Sequence, residues 1–139
     1  MGVDIRCKKT GKSMTLSYSG FARWQMKIAE LYNHPWRIHY AQLFTPPLCK
    51  SEEFCKKFDA ETRRLMEAEH LDPKIIDFCL QSDTGGSITY GACKNILKAI
   101  GDYTDNTAYT YTTLADHDWD RLKDILKDCV ETKSKLIWD

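Results

Sequence analysis
The chain has 139 residues, 20 Lys and Arg balanced by 20 Asp and Glu, and a formal net charge of zero. With 42% hydrophobic and 29% charged residues it has the make-up of a folded domain and too much apolar surface for a disordered chain. Its apolar runs are too short for a membrane span, and the polar, basic stretch 1–13 lacks the apolar core of a secretory signal, so the expectation is one cytoplasmic domain over 1–139.

Residues 3–8 and 14–19 read as short strands joined by the Gly11 turn, an N-terminal hairpin. Ser19 is placed to cap a helix whose apolar face is Phe21, Trp24, Ile28 and Leu31, and Pro35 ends it. Residues 36–44 fit no single pattern, and Thr45-Pro46-Pro47 is a break. Ser51 with Glu52 and Glu53 opens a second helix bearing Phe54, Phe58, Leu65 and Met66.

The clearest helix start on the chain is Asp72 followed by Pro73, with Leu71 and Ile76 spaced as a hydrophobic staple. Its face is Ile75, Ile76, Cys79 and Leu80. Gly85-Gly86 stops it, Asp83 is a candidate cap, and residues 87–89 form an extended link that points Ile88 inward. Tyr90, Cys93, Ile96, Leu97 and Ile100 repeat at helical spacing up to Gly101. Residues 102–113 read as loop or edge strand. Asp116 can open a last helix striped by Trp119, Leu122, Ile125, Leu126, Cys129 and Val130, and residues 135–139 read as a closing strand. These elements predict an α+β fold: a small antiparallel sheet, built on the N-terminal hairpin and open to the C-terminal strand, packed by four or five helices.

Six cysteines occur at irregular spacing, and Cys79, Cys93 and Cys129 fall on apolar helix faces, where cysteine acts as a small hydrophobe. The expectation is reduced thiols. No paired cysteines accompany His34 and His39 at zinc-finger spacing. Residues 81–92 lack the acid at the twelfth position that a calcium loop needs. Gly11-Lys12-Ser13 lacks the upstream glycine of a phosphate-binding loop and precedes a strand instead of a helix. Arg6 stands where a myristoylation signal needs Ser or Thr. No cofactor, metal site or catalytic residue is predicted.

Two segments carry candidate binding chemistry. Residues 1–50 hold eight Lys and Arg against two acids, while 51–139 hold twelve against eighteen, an asymmetry that can steer partners. Within 102–120, Asp105, Tyr109, Tyr111, Asp116 and Asp118 combine contact area with negative charge, which suits a protein interface. Within the N-terminal third, Arg23, Lys27, Trp36, Arg37 and Tyr40 mix rings and cations as a nucleotide or nucleic-acid site would. In the same stretch Phe21 and Trp24 share a helix face with Ile28 and Leu31, which fits a core.

The opening Met1-Gly-Val-Asp-Ile5, with Ser82-Asp83, Gly86, Ile88 and Cys93, resembles a group of small uncharacterised proteins of bacteria and their phages. That group begins Met-Gly-x-Asp-aliphatic and later carries Ser-Asp-Cys-x-Gly-x-aliphatic; Thr84 departs from it where cysteine is frequent. The resemblance implies a bacterial or phage setting and transfers no activity. The leading expectation is a non-enzymatic accessory protein that binds a host protein, such as a counter-defence inhibitor. The alternatives are a nucleotide or nucleic-acid binder and a Cys/His-dependent enzyme.

Overall fold
The computed structural model describes residues 2–104, 114 and 118–139. Strand β1 (Val3–Cys7) pairs antiparallel with β2 (Ser13–Leu16) and with β4 (Leu136–Trp138), and β4 pairs antiparallel with β3 (Gly86–Ile88). The sheet order is β2-β1-β4-β3. The protein is α+β, with an antiparallel sheet that joins the N-terminal hairpin to the C-terminal strand. The extended link expected at 87–89 is the edge strand β3.

Alternation along the strands sends Val3, Ile5, Cys7, Ile88, Leu136 and Trp138 to one buried face. The opposite face presents Asp4, Arg6, Ser13, Thr15, Ser87 and Ile137, exposed or half-buried, with no described element over them. On that face Thr15 Oγ1 donates to Asp4 Oδ1 at 2.5 Å and Arg6 pairs with Asp139 at 2.9 Å.

The buried face packs on helices. Helix α1 (Tyr18–Tyr32) is capped by Ser17, whose Oγ accepts from Gly20 N at 2.9 Å. The cap is therefore Ser17 and not Ser19, and it cuts β2 short, because a cap residue cannot also continue a ladder. Helix α4 (Pro73–Leu80) starts on Asp72 as its sequence demands. Helix α5 (Tyr90–Ile100) is capped by Thr89 and closed by Gly101 at φ 58°, a conformation glycine adopts without strain. Helix α6 (Asp118–Thr132) buries Trp119, Leu122, Ile125, Leu126 and Cys129. Asp116, expected to open α6, lies outside the described residues.

The 36–44 stretch that fits no simple pattern is helical. Helix α2 (His34–Ala41) follows α1 directly, because Asn33 both ends α1 and caps α2, accepting from Trp36 N at 2.9 Å. A short 3-10 turn, Gln42–Phe44, follows it. Helix α3 (Glu52–Ala68) is capped by Ser51, which brings the described helices to six.

The end of α4 is where these parts lock together. A helix end leaves carbonyls without intrahelical donors. Gln25 Nε2 of α1 donates to Phe78 O at 3.0 Å and Gln81 O at 2.9 Å. Tyr40 Oη of α2 donates to Cys79 O at 2.7 Å, and Trp138 Nε1 of β4 donates to Ser82 O at 2.9 Å. Three elements thus satisfy one terminus, above an aromatic cluster of Phe21, Trp24, Phe78 and Trp138 with centroids 4.9–6.3 Å apart. Ser82, whose Oγ accepts from Thr84 N at 3.1 Å, turns the chain there in place of Asp83. Gly86 is required at the next step: a Cβ would stand 2.6 Å from Trp138 Cζ2.

Candidate functional site
Helix α2 buries Trp36, His39 and Tyr40 and leaves Arg37 and Ile38 outside. Trp36 and Tyr40 stack at 5.6 Å in the core, and the desolvated Tyr40 phenol ionises well above its ordinary range. From Trp36 the rings run outward: His39 lies 5.6 Å from Trp36 and stacks on Phe58 of α3 at 4.0 Å, and Phe58 stacks on Phe54 at 5.9 Å. This ladder joins α3 to α2, its principal neighbour, and Leu65 carries α3 into the hydrophobic core.

The hydrogen bonds of His39 assign its protonation. Thr62 Oγ1 donates to Phe58 O at 2.9 Å, so its hydroxyl proton is committed. It must then accept from His39 Nε2, 2.8 Å away, which carries the ring proton. His39 Nδ1 is left as acceptor for Gln42 Nε2 at 3.1 Å. Burial lowers the His39 pKa, only partly offset by Glu61. A neutral imidazole with both nitrogens satisfied ties two helices together and is not free to act as a base.

Outside this ladder α2 and α3 diverge into a groove of about 640 Å³. Its floor is apolar, from Pro35, Ile38, Phe54, Phe58 and Leu65, and its rim carries Lys57, Glu61 and Arg64. Arg64 pairs with Glu61, whose carboxyl is held below its ordinary range by that bond. Ile38 is 58% exposed and separates the groove from a second hollow of about 330 Å³ bounded by Met26, Glu30, His34 and Arg37. Leu48, 73% exposed, lies in the segment that connects the two helices.

The structure divides the residues expected to bind a nucleotide or nucleic acid. Trp36 and Tyr40 are core residues, 0% and 2% exposed, so neither presents a face for a base. Lys27 is 5% exposed: its ammonium pairs with Glu30 at 3.1 Å and sits 5.0 Å from the Tyr103 ring centroid. Arg23 is half-buried, and Arg37 alone of the five is exposed. The mixture of rings and cations in the sequence is thus divided by the helix between inside and outside. Of the residues expected at a protein interface, Asp105, Tyr109, Tyr111 and Asp116 lie outside the described residues. Asp118 lies in the first turn of α6, 3.8 Å from Arg121.

All six cysteines are free. Burial pushes the Cys79 thiol up to about 12. Cys7 lies 3.1 Å from Ser134 Oγ and 3.7 Å from Thr132 Oγ1, and hydroxyl hydrogen bonds outweigh burial to bring it down to about 6. Cys129 is raised by its contacts with Cys93 and by burial. No cysteine hydrogen-bonds a histidine among the described residues: His39 is satisfied by Thr62 and Gln42, and Cys7 by hydroxyls. Nor do three His, Cys, Asp or Glu side chains converge as metal ligands among the described residues, and none of the described helices is long and apolar enough to cross a membrane.

The groove residues were legible as helix faces and not as a site. Phe54 and Phe58 read as core, and Ile38 fell in the stretch without a pattern. The available signal was an isoleucine beside Arg37 in a segment with a weak apolar face. No family model, curated protein or solved structure matches this chain.

Proposed function
We propose that this protein is a non-enzymatic accessory protein that binds a partner protein through the α2–α3 groove. The observation that supports the reading is the apolar groove standing open between α2, which presents a 58% exposed isoleucine, and α3, whose principal neighbour is α2. Concave apolar sites rimmed by a few polar groups take a buried anchor from a partner, and such anchors carry most of the binding energy. The groove has room for an aromatic or branched aliphatic side chain, with Lys57 and the Glu61–Arg64 pair at the polar rim. The host protein implied by the phage-like opening residues is the partner class that this reading favours.

The test places a photo-crosslinking residue at position 57 and irradiates the tagged protein in bacterial lysate. One host protein is expected to crosslink, and Ile38→Asp is expected to abolish that product without lowering the melting temperature. A crosslinking pattern unchanged by Ile38→Asp would remove the groove from consideration.

A further inference from the structure
We infer that the lysine-rich end of the sheet is a second, independent binding surface, and that its partner is duplex nucleic acid held through the phosphate backbone. Strand β1 runs into Lys8 and Lys9, and Lys12 precedes β2. Lys133 and Lys135 lie between α6 and β4. Backbone pairing brings them together: Lys8 N donates to Lys135 O at 2.9 Å, and Cys7 N donates to Lys12 O at 3.0 Å. All five side chains are exposed, and none takes part in an ion pair among the described residues. Against them stand Asp128 and Glu131 in the last turns of α6, a balance of +3 within this end, and Asp128 already accepts from Thr10 Oγ1 at 3.1 Å. Lys135 also borders a hollow of about 320 Å³ in which Lys74 stands with Asp77 and Thr89.

Like charges gathered at one end of a sheet repel, and a polyanion that binds them releases the ions that screen it. The outer face beside the strip decides which polyanion. Nearest the strip it carries the hydroxyls of Ser13 and Ser87, which can bond phosphate oxygens, while Thr15 is committed to Asp4 and Arg6 to Asp139 farther along the strands, and it bears no aromatic side chain. It therefore offers no platform for stacking unpaired bases. It also bears no large exposed hydrophobic side chain that would insert into a lipid surface. Point-charge ammonium groups next to hydroxyls fit a regular phosphate array and read no sequence. The chemistry is separate from the groove and stands whether or not the groove binds protein.

The experiment measures fluorescence anisotropy of a labelled 20-base-pair DNA duplex with the full chain. Five phosphate contacts predict binding at 50 mM NaCl that weakens about 10²–10³-fold by 200 mM. The variant Lys8→Gln/Lys9→Gln/Lys133→Gln/Lys135→Gln, altered only at exposed positions, is expected to keep its melting temperature, lose the binding and flatten the salt dependence. Arg37→Gln, on the far patch, is expected to bind as the parent does. No binding at 50 mM NaCl overturns the proposal, as does a quadruple variant that binds like the parent. Tighter binding to a polyglutamate peptide or to phosphatidylserine vesicles than to the duplex overturns the assignment of the partner.

Discussion
Two regions of this molecule use aromatic side chains to opposite ends. Around the end of α4, Phe21, Trp24, Phe78 and Trp138 are each at most 2% exposed, and α1, α2 and β4 all contribute hydrogen bonds there. Along α2 and α3, Trp36, His39, Phe58 and Phe54 form a single file from the core to solvent. The first arrangement is redundant, so losing one contact leaves the others to hold the geometry. The second is serial, ring on ring, with Leu65 and Met66 the further contacts of α3 with the core. The teaching is that an open apolar groove needs an arm held by few contacts, since each further neighbour would fill it.

The largest effect is a cavity in the hydrophobic core that the four rings at the end of α4 belong to. Leu122, 1% exposed in α6, is expected to cost about 2–5 kcal/mol when changed to Ala, read from urea melts. Ile38→Ala on the arm is expected to change stability by less than about 0.5 kcal/mol. Equal losses at the two sites would erase the distinction. Gly86→Ala comes next, because its Cβ would stand 2.6 Å from the Trp138 ring at the fixed end of α4. Overpacking there is expected to cost about 1–3 kcal/mol, and a wild-type melt from this variant would show that β3 can shift.

A smaller effect sharpens the comparison by titrating the arm. Burial lowers the pKa of His39 in the folded chain. As pH falls the unfolded chain takes up the proton first, so the stability held by the neutral ring is complete above the ordinary histidine range, about 6.5. It is lost progressively as pH falls from there through the lowered native value. The melting temperature is expected to fall between pH 7.5 and pH 5.5, and less so in His39→Gln. Hydrogen exchange is expected to show α3 amides opening at lower free energy than those of α6, the gap widening at pH 5.5. Uniform protection across the two helices would contradict the serial attachment. The smallest effect concerns the six free thiols: a reducing agent is expected to leave the melting temperature unchanged, and a large drop would reveal a bond between cysteines.

Local chemistry made much of this fold readable. Asp72-Pro73 and Ser51 mark helix starts by side-chain hydrogen bonds within a few residues, and the stripe from Trp119 to Cys129 fixes which face of α6 turns inward. Position 17 against 19 was harder, since both serines can cap and their hydroxyls lie 3.2 Å apart. The 36–44 stretch was unreadable because α2 is eight residues long and buries a histidine and a tyrosine, whose polar atoms make helix and surface patterns overlap.

The candidate surfaces divide the same way. That lysines crowd the N-terminal hairpin is written in the order of residues. That Lys133 and Lys135 join them follows from β4 lying beside β1, a pairing across more than a hundred residues. Trp36 and Tyr40 show the converse, two rings beside cations in the sequence but on the inner side of one helix turn. Periodicity, caps and turns act over one to four residues, so the sequence by itself determined the main helices, the hairpin and the α+β class. Exposure, the groove and the lysine end depend on which distant elements meet, because burial and long-range repulsion are properties of the packed chain, and only the tertiary structure decided them.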